Sequence, residues 1–163
     1  MLLCRELVRP AREGGFMAMS LRMTKSLHTT PERSRLMASV RQKDTWPELI
    51  VQSVLRASGY HFSRKSRGLP GSPDIVNRAE KWAVFVHGCF WHAHNNCSLW
   101  KIPRNNQPFW EAKFRGNRER DKRKVRELKG LGYRVLVIWQ CQLKDETKLR
   151  RRIQRFVKPN SVS

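Results

Sequence analysis

Residues 84–97 read VFVHGCFWHAHNNC: an apolar run of strand type breaks into a loop, and the stretch holds three of the chain's five histidines, two of its four cysteines and a Phe-Trp pair. A polar loop such as HAHNNC has little core of its own and must be held by something else. A second apolar run, YRVLVIW at 133–139, ends in Gln140-Cys141. If the two runs are neighbouring strands, Cys89, His94, Cys97 and Cys141 converge at one end of a sheet. That is the donor set and ligand number of a structural tetrahedral zinc site. The spacing matches no standard zinc-finger repeat, and the alternative is that Cys89 and Cys141 are small buried hydrophobes. His92 need not join that set, and a free imidazole takes a proton from water near neutral pH. His87 is read as a structural polar residue at the strand end.

The rest of the chain reads as helices around a small mixed sheet, an α/β architecture. Residues 1–28 have no sustained apolar period and read as a disordered basic extension, followed by a folded domain over 29–158 and a tail over 159–163. Thr30-Pro31-Glu32 opens a short helix toward Val40. Thr45-Trp46-Pro47-Glu48 has capping-box spacing and opens a second, with Leu49, Ile50, Ser53, Val54 and Ala57 as its apolar face and Gly59 as its stop. Tyr60 to Phe62 reads as a short strand, and SRKSRGLPGSP as a basic loop. Asp74 to Val76 and Trp82 to His87 form an antiparallel hairpin turning at Arg78 to Glu80. Tyr133 to Trp139 is too continuously apolar for a one-sided strand and is expected to lie centrally. A basic segment spans about 108–131, and 144–157 reads as a helix.

Charge then restricts the partner. Lys and Arg total 34 against 13 acids, a formal charge of +21, which attracts a polyanion and repels a second copy. Nucleic acid is the expected partner, which the resemblance below narrows to double-stranded DNA, and the chain is expected to act as a monomer. No stretch reaches the roughly 20 apolar residues of a membrane span. MLLCRELVRP also places charge where a signal peptide is apolar, so a cytoplasmic location is expected. Inside so basic a protein, Asp74 at the head of a hairpin disfavours phosphate binding unless a divalent metal lies between them. Glu48 and Asp121 supply further acids, although a helix cap and a solvated ion pair are their ordinary alternatives.

Taken together, RSRLMASVRQKDTWPEL, PGSPDIV, AVFVHGCFWHAHNNC, FW with a basic ERDKRK run, and GYRVLVIWQC resemble the very short patch repair (Vsr) DNA mismatch endonucleases, in unbroken order over about residues 29–143. The resemblance implies a restriction-endonuclease-like fold, a structural Zn2+ and Mg2+-dependent nicking of one strand beside a T:G mismatch, the product of 5-methylcytosine deamination. It places Asp74 on the metal-binding aspartate, His92 on the catalytic histidine, and Glu48 and Asp121 on supporting acids. Val86 matches the residue whose backbone carbonyl meets the magnesium, and Cys89, His94, Cys97 and Cys141 match the zinc ligands. Phe90, Trp91 and Trp110 match an aromatic wedge, Met37 an apolar side chain that meets DNA, and Lys113 and Asn117 the readers of the mismatched bases. It further implies a nucleoid-associated enzyme, with mismatch-repair proteins as possible partners. The competing readings are a zinc-stabilised DNA-binding module without catalysis and a restriction-type nuclease acting on matched duplex. Retention of Asp74 with His92 argues against the first, and the wedge against the second.

Overall fold

The computed structural model describes Arg35 and residues 43–158. The extension over 1–28, the helix expected from Pro31, Met37 and the tail over 159–163 lie outside the described residues. The chain divides into two units after Val40, and the elements described belong to the second.

Strands β1 (Ile75–Asn77) and β2 (Trp82–His87) form the expected antiparallel hairpin, with Ile75 opposite Val84. Strand β3 (Arg134–Trp139) pairs parallel to β2, from Trp82 opposite Arg134 to His87 opposite Trp139. A parallel pair needs a long crossover, and helix α2 (Gln107–Gly130), 24 residues long, provides it. The charge of this segment hides its period in the sequence: only Trp110, Phe114 and Leu128 of it are buried.

The strand order is β1-β2-β3, so β2 is central and β3 lies at the edge, contrary to expectation. Its two faces are nonetheless both covered. Leu136 and Ile138 pack into the main core cluster, which draws on helices α1 (Trp46–Ala57) and α3 (Glu146–Val157), while Tyr133, Val135 and Val137 pack with Phe85 and Leu128. Continuous apolarity thus reports two covered faces, not two neighbouring strands. The free edge is blunted by Arg152, which donates from Nη2 to the Val137 carbonyl at 3.0 Å and from Nη1 to Gln142 Oε1 at 2.6 Å.

Helix α1 begins with Pro47 in its first turn and ends before Gly59, whose φ of 74° suits the stop. Its buried face is Glu48, Val51, Gln52, Val54 and Leu55, whereas Leu49 is 46% exposed and Ser53 is exposed. The expected face was rotated because two polar residues, Glu48 and Gln52, occupy the true one. No strand forms over 60–62. Tyr60 and Phe62 pack on the core as loop residues, and the chain meets the sheet in one bridge, Ser63 to Val76. A short 3-10 helix (Gln140–Lys144) leads into α3, whose N-cap Asp145 accepts the Lys148 amide at 2.9 Å. Leu149, Ile153 and Val157 of α3 enter the main core, and Arg134 of β3 donates to the carbonyls of Phe156 and Val157 at the helix end. No helix among the described residues is long and apolar enough to cross a membrane.

Candidate active site and metal centre

Because β2 and β3 run parallel, their C-terminal ends lie side by side, and the loop after His87 meets the chain leaving Trp139. The ligand atoms of Cys89, His94, Cys97 and Cys141 all fall within 4.8 Å of one another. His94 Nδ1 is 3.6 Å from Cys89 Sγ and 3.4 Å from Cys141 Sγ. Tetrahedral zinc, with Zn–S near 2.3 Å, requires ligand atoms roughly 3.5 Å apart, so the donor set fits that metal. Burial pushes the Cys89 thiol up to about 12 and raises Cys141 as well. Anionic sulfur at these positions calls for a compensating cation.

Ala93 separates the two histidines that follow Trp91. It is buried and takes a φ of 48°, a left-handed conformation that a residue with a Cβ rarely adopts. The reversal sends His94 to the sulfur cluster and His92 to α2. His92 Nδ1 lies 2.6 Å from Asp121 Oδ2. Burial tends to raise the Asp121 carboxyl, but the His92 hydrogen bond and charge hold it below its ordinary value. An ionised carboxylate only accepts, so Nδ1 carries the proton and Nε2 is left free.

His87 and Trp139 complete this arrangement. The His87 ring stacks on His92 with centroids 3.8 Å apart and planes 4° from parallel. Burial, followed by the charge of His92, lowers His87 to about 4, so it is neutral at physiological pH. Trp139 stacks on His94 at 4.1 Å and meets His87 edge-on at 5.2 Å, joining the sulfur cluster to the imidazole pair. Neither role was read from the sequence. The signal was the strand alternation, which puts Phe85 and His87 on the same face as Val137 and Trp139 once β2 and β3 are in register.

Asp74 stands where the chain enters β1. Its Oδ2 accepts the Val86 amide at 2.7 Å, and its own amide donates to the Val84 carbonyl at 3.1 Å. Burial raises its carboxyl to about 6; the Val86 hydrogen bond opposes this and the nearby Glu48 charge reinforces it. A strand residue's N–H and C=O point to the same side, so the Val86 carbonyl faces the side of Asp74. A desolvated carboxylate with one free oxygen, a carbonyl beside it and a second acid nearby fit a hard divalent cation such as Mg2+. Glu48 is more than the expected cap. Its carboxylate accepts the Thr45 hydroxyl at 2.7 Å and the Asp44 amide at 3.0 Å, while Thr45 makes no side-chain cap to the helix. Asp74 and Glu48 line a cleft of about 1120 Å³ whose rim carries Lys43, Arg56, Arg64 and Arg67. His92 and Asp121 line a second, of about 590 Å³. His92, when protonated, lowers the Asp74 carboxyl, so the two sets act on one another.

The aromatic residues gather over the loop. Phe90 meets Trp91, Trp110 and Phe114 edge-on at 5.1, 5.6 and 5.4 Å. Trp110 is 9% exposed and packs in a core cluster with Ala93 and Phe114, while Phe90 and Trp91 are half-buried. Lys113 Nζ lies 5.5 Å from the Trp91 ring and 5.3 Å from that of Trp110, and Asn117 Nδ2 donates to the Trp91 carbonyl at 2.7 Å.

The family model described as DNA mismatch endonuclease Vsr matches residues 25–99. The Type II nicking enzyme V.XorIIP of Xanthomonas oryzae pv. oryzae is 43% identical over 132 residues, covering 80% of this chain and 96% of that protein. The Type II nicking enzyme V.NmeAIP of Neisseria meningitidis is 38% identical over 132 residues, covering 81% and 94%. The DNA mismatch endonuclease Vsr of Escherichia coli is 39% identical over 123 residues, covering 76% of this chain and 78% of its own length.

Proposed function

The chain belongs to the Vsr family of DNA mismatch endonucleases, and on that premise we propose that it nicks one strand of duplex DNA beside a T:G mismatch to start very short patch repair. The observation that carries this reading is the His92–Asp121 pair, placed within electrostatic reach of the buried Asp74 and directly after the aromatic pair Phe90-Trp91. Water attacks the phosphorus as His92 takes its proton at Nε2, while Asp121 holds the ring and stabilises the imidazolium. The bond from phosphorus to the departing strand oxygen breaks, and that oxygen takes a proton from solvent. His87, neutral and stacked on His92, keeps that ring in plane. Asp74 and the Val86 carbonyl would hold Mg2+, which would supply charge neutralisation at the phosphate. Glu48 shares the cleft with Asp74 and orients water or metal there. Cys89, His94, Cys97 and Cys141 would hold Zn2+, which would anchor the loop that bears His92 and Trp91.

Phe90 and Trp91 enter the base stack at the lesion, where unstacking is easiest, with Trp110 supporting them from the core. Lys113 and Asn117 border Trp91 and read the wobble-shifted edges of the mismatch. The hairpin headed by Asp74, crossing through α2 to a parallel β3, supports the restriction-endonuclease-like fold expected of the family. The net charge of +21 supports action as a monomer on DNA, while a place at the nucleoid and alongside mismatch-repair proteins rests on the family reading.

The test compares T:G and matched duplexes, each strand end-labelled, in Mg2+. Cutting confined to the mismatched duplex and to one strand is expected, and efficient cutting of the matched duplex would support a nuclease of intact sites instead. Trp91→Ala should slow nicking of the T:G duplex at least tenfold, roughly the loss of one stacking contact, and leave salt-sensitive binding in place. Lys113→Ala should narrow the preference for T:G over other mismatches.

A further inference from the structure

We propose that the cleft between α2 and β3 is a subsite for one unstacked nucleotide of the strand being cut, an inference that rests on the strand-nicking reading above. Its volume of about 590 Å³ lies in the range of small-ligand pockets. Val125, Val137 and Trp139 give it an apolar wall, and His92 and Asp121 line it as well. Lys122 and Arg126 stand on its rim one helical turn apart, both exposed and neither in an ion pair among the described residues.

A flat apolar wall beneath two free cations suits a base joined to a phosphate. It does not suit an added peptide strand, because the β3 edge is already occupied at this point. The Val137 carbonyl accepts Arg152, and the Trp139 amide donates to Gln142 Oε1 at 3.1 Å. The location suits a nucleotide next to the reaction. Asp74 and Glu48 open to one cleft, His92 and Asp121 to the other, and the end of β2 lies between them. A strand whose scissile phosphate sits at that end runs from one cleft into the other. The nucleotide entering the second cleft leaves the stack, at a cost that a neighbouring mismatch lowers.

The test is photo-crosslinking with 5-iododeoxyuridine, placed in turn at the mismatched thymine and at the nucleotides on either side of it, with the attachment site mapped by mass spectrometry. Crosslinking from one position to the 137–139 segment is expected. Val125→Trp, which fills the cleft, should abolish that crosslink and slow nicking roughly tenfold while leaving binding to matched DNA unchanged. Should Val125→Trp melt below wild type, the surface variant Lys122→Glu/Arg126→Glu serves, with the crosslink expected to fall at least several-fold. Unchanged crosslinking and nicking in a correctly folded variant of either kind would overturn the subsite. Wild-type protein that nicks T:G DNA without crosslinking here would overturn the subsite alone. Protein that crosslinks here but nicks nothing would overturn the nicking reading and leave the subsite standing.

Discussion

Asp74 is held where a carboxylate is least comfortable, desolvated, beside Glu48 and relieved by one backbone amide, and its carboxyl rises from 3.8 to about 6. The folded state therefore binds that proton more tightly than the unfolded chain does. Its contribution to stability is complete below pH 3.8, declines as pH rises through about 6, and is absent above it. Asp74→Asn removes the charge and keeps the shape. In Mg2+-free buffer the variant should be more stable than wild type at pH 7.5, by about 3 kcal/mol, and level with it near pH 3.5. Added Mg2+ should then raise the melting temperature of wild type but not of the variant, which should also have lost cleavage. A variant whose advantage is the same at both pH values would show that burial of Asp74 is not what strains the site.

At the scale of elements, the loop after β2 depends on one unusual backbone position. Ala93 is small enough to be buried against Trp110 and Phe114 and tolerates a φ of 48°. A β-branched residue is a true outlier there, and Ala93→Val should return the chain to ordinary φ. The expected result is joint failure: zinc content and nicking fall together, since His94 and His92 take their directions from the same residue. Loss of nicking with zinc fully retained would mean that the two rings are positioned independently. The same loop shows how far the sequence was legible. The cluster of Cys89, His94, Cys97 and Cys141 could be read because soft donors at the ends of two apolar runs have few other uses. The buried face of α1 could not, since Glu48 and Gln52 interrupt its period for the sake of the cleft. The edge position of β3 was equally hidden, because apolarity registers covered faces and is silent on which strands lie alongside. Helix α2 was obscured by its charge, and His87 and Trp139 gained meaning only through a strand register that no single segment encodes.

Across the folded unit, the sulfur cluster ties the ends of the two longest strands at the point where the imidazole pair is built, with Trp139 packed between them. Zinc held by Cys89, His94, Cys97 and Cys141 would stabilise the fold directly, since these residues are apart in the unfolded chain. Removing it should therefore have a graded effect. Chelation, or Cys141→Ser, should lower global stability by several kcal/mol and abolish nicking, because the loop carrying His92 and Trp91 loses its anchor. Non-specific affinity for matched DNA should suffer least. It arises from Lys and Arg spread over the basic loop, α2 and α3, and it should keep the steep salt dependence of phosphate contacts at temperatures where the protein stays folded. The measurement pairs thermal melting with DNA binding at two salt concentrations, before and after chelation and again after zinc is restored. Recovery of both melting temperature and nicking on adding zinc is expected. A Cys141→Ser protein of normal stability and full activity would return the cysteines to the role of small buried hydrophobes.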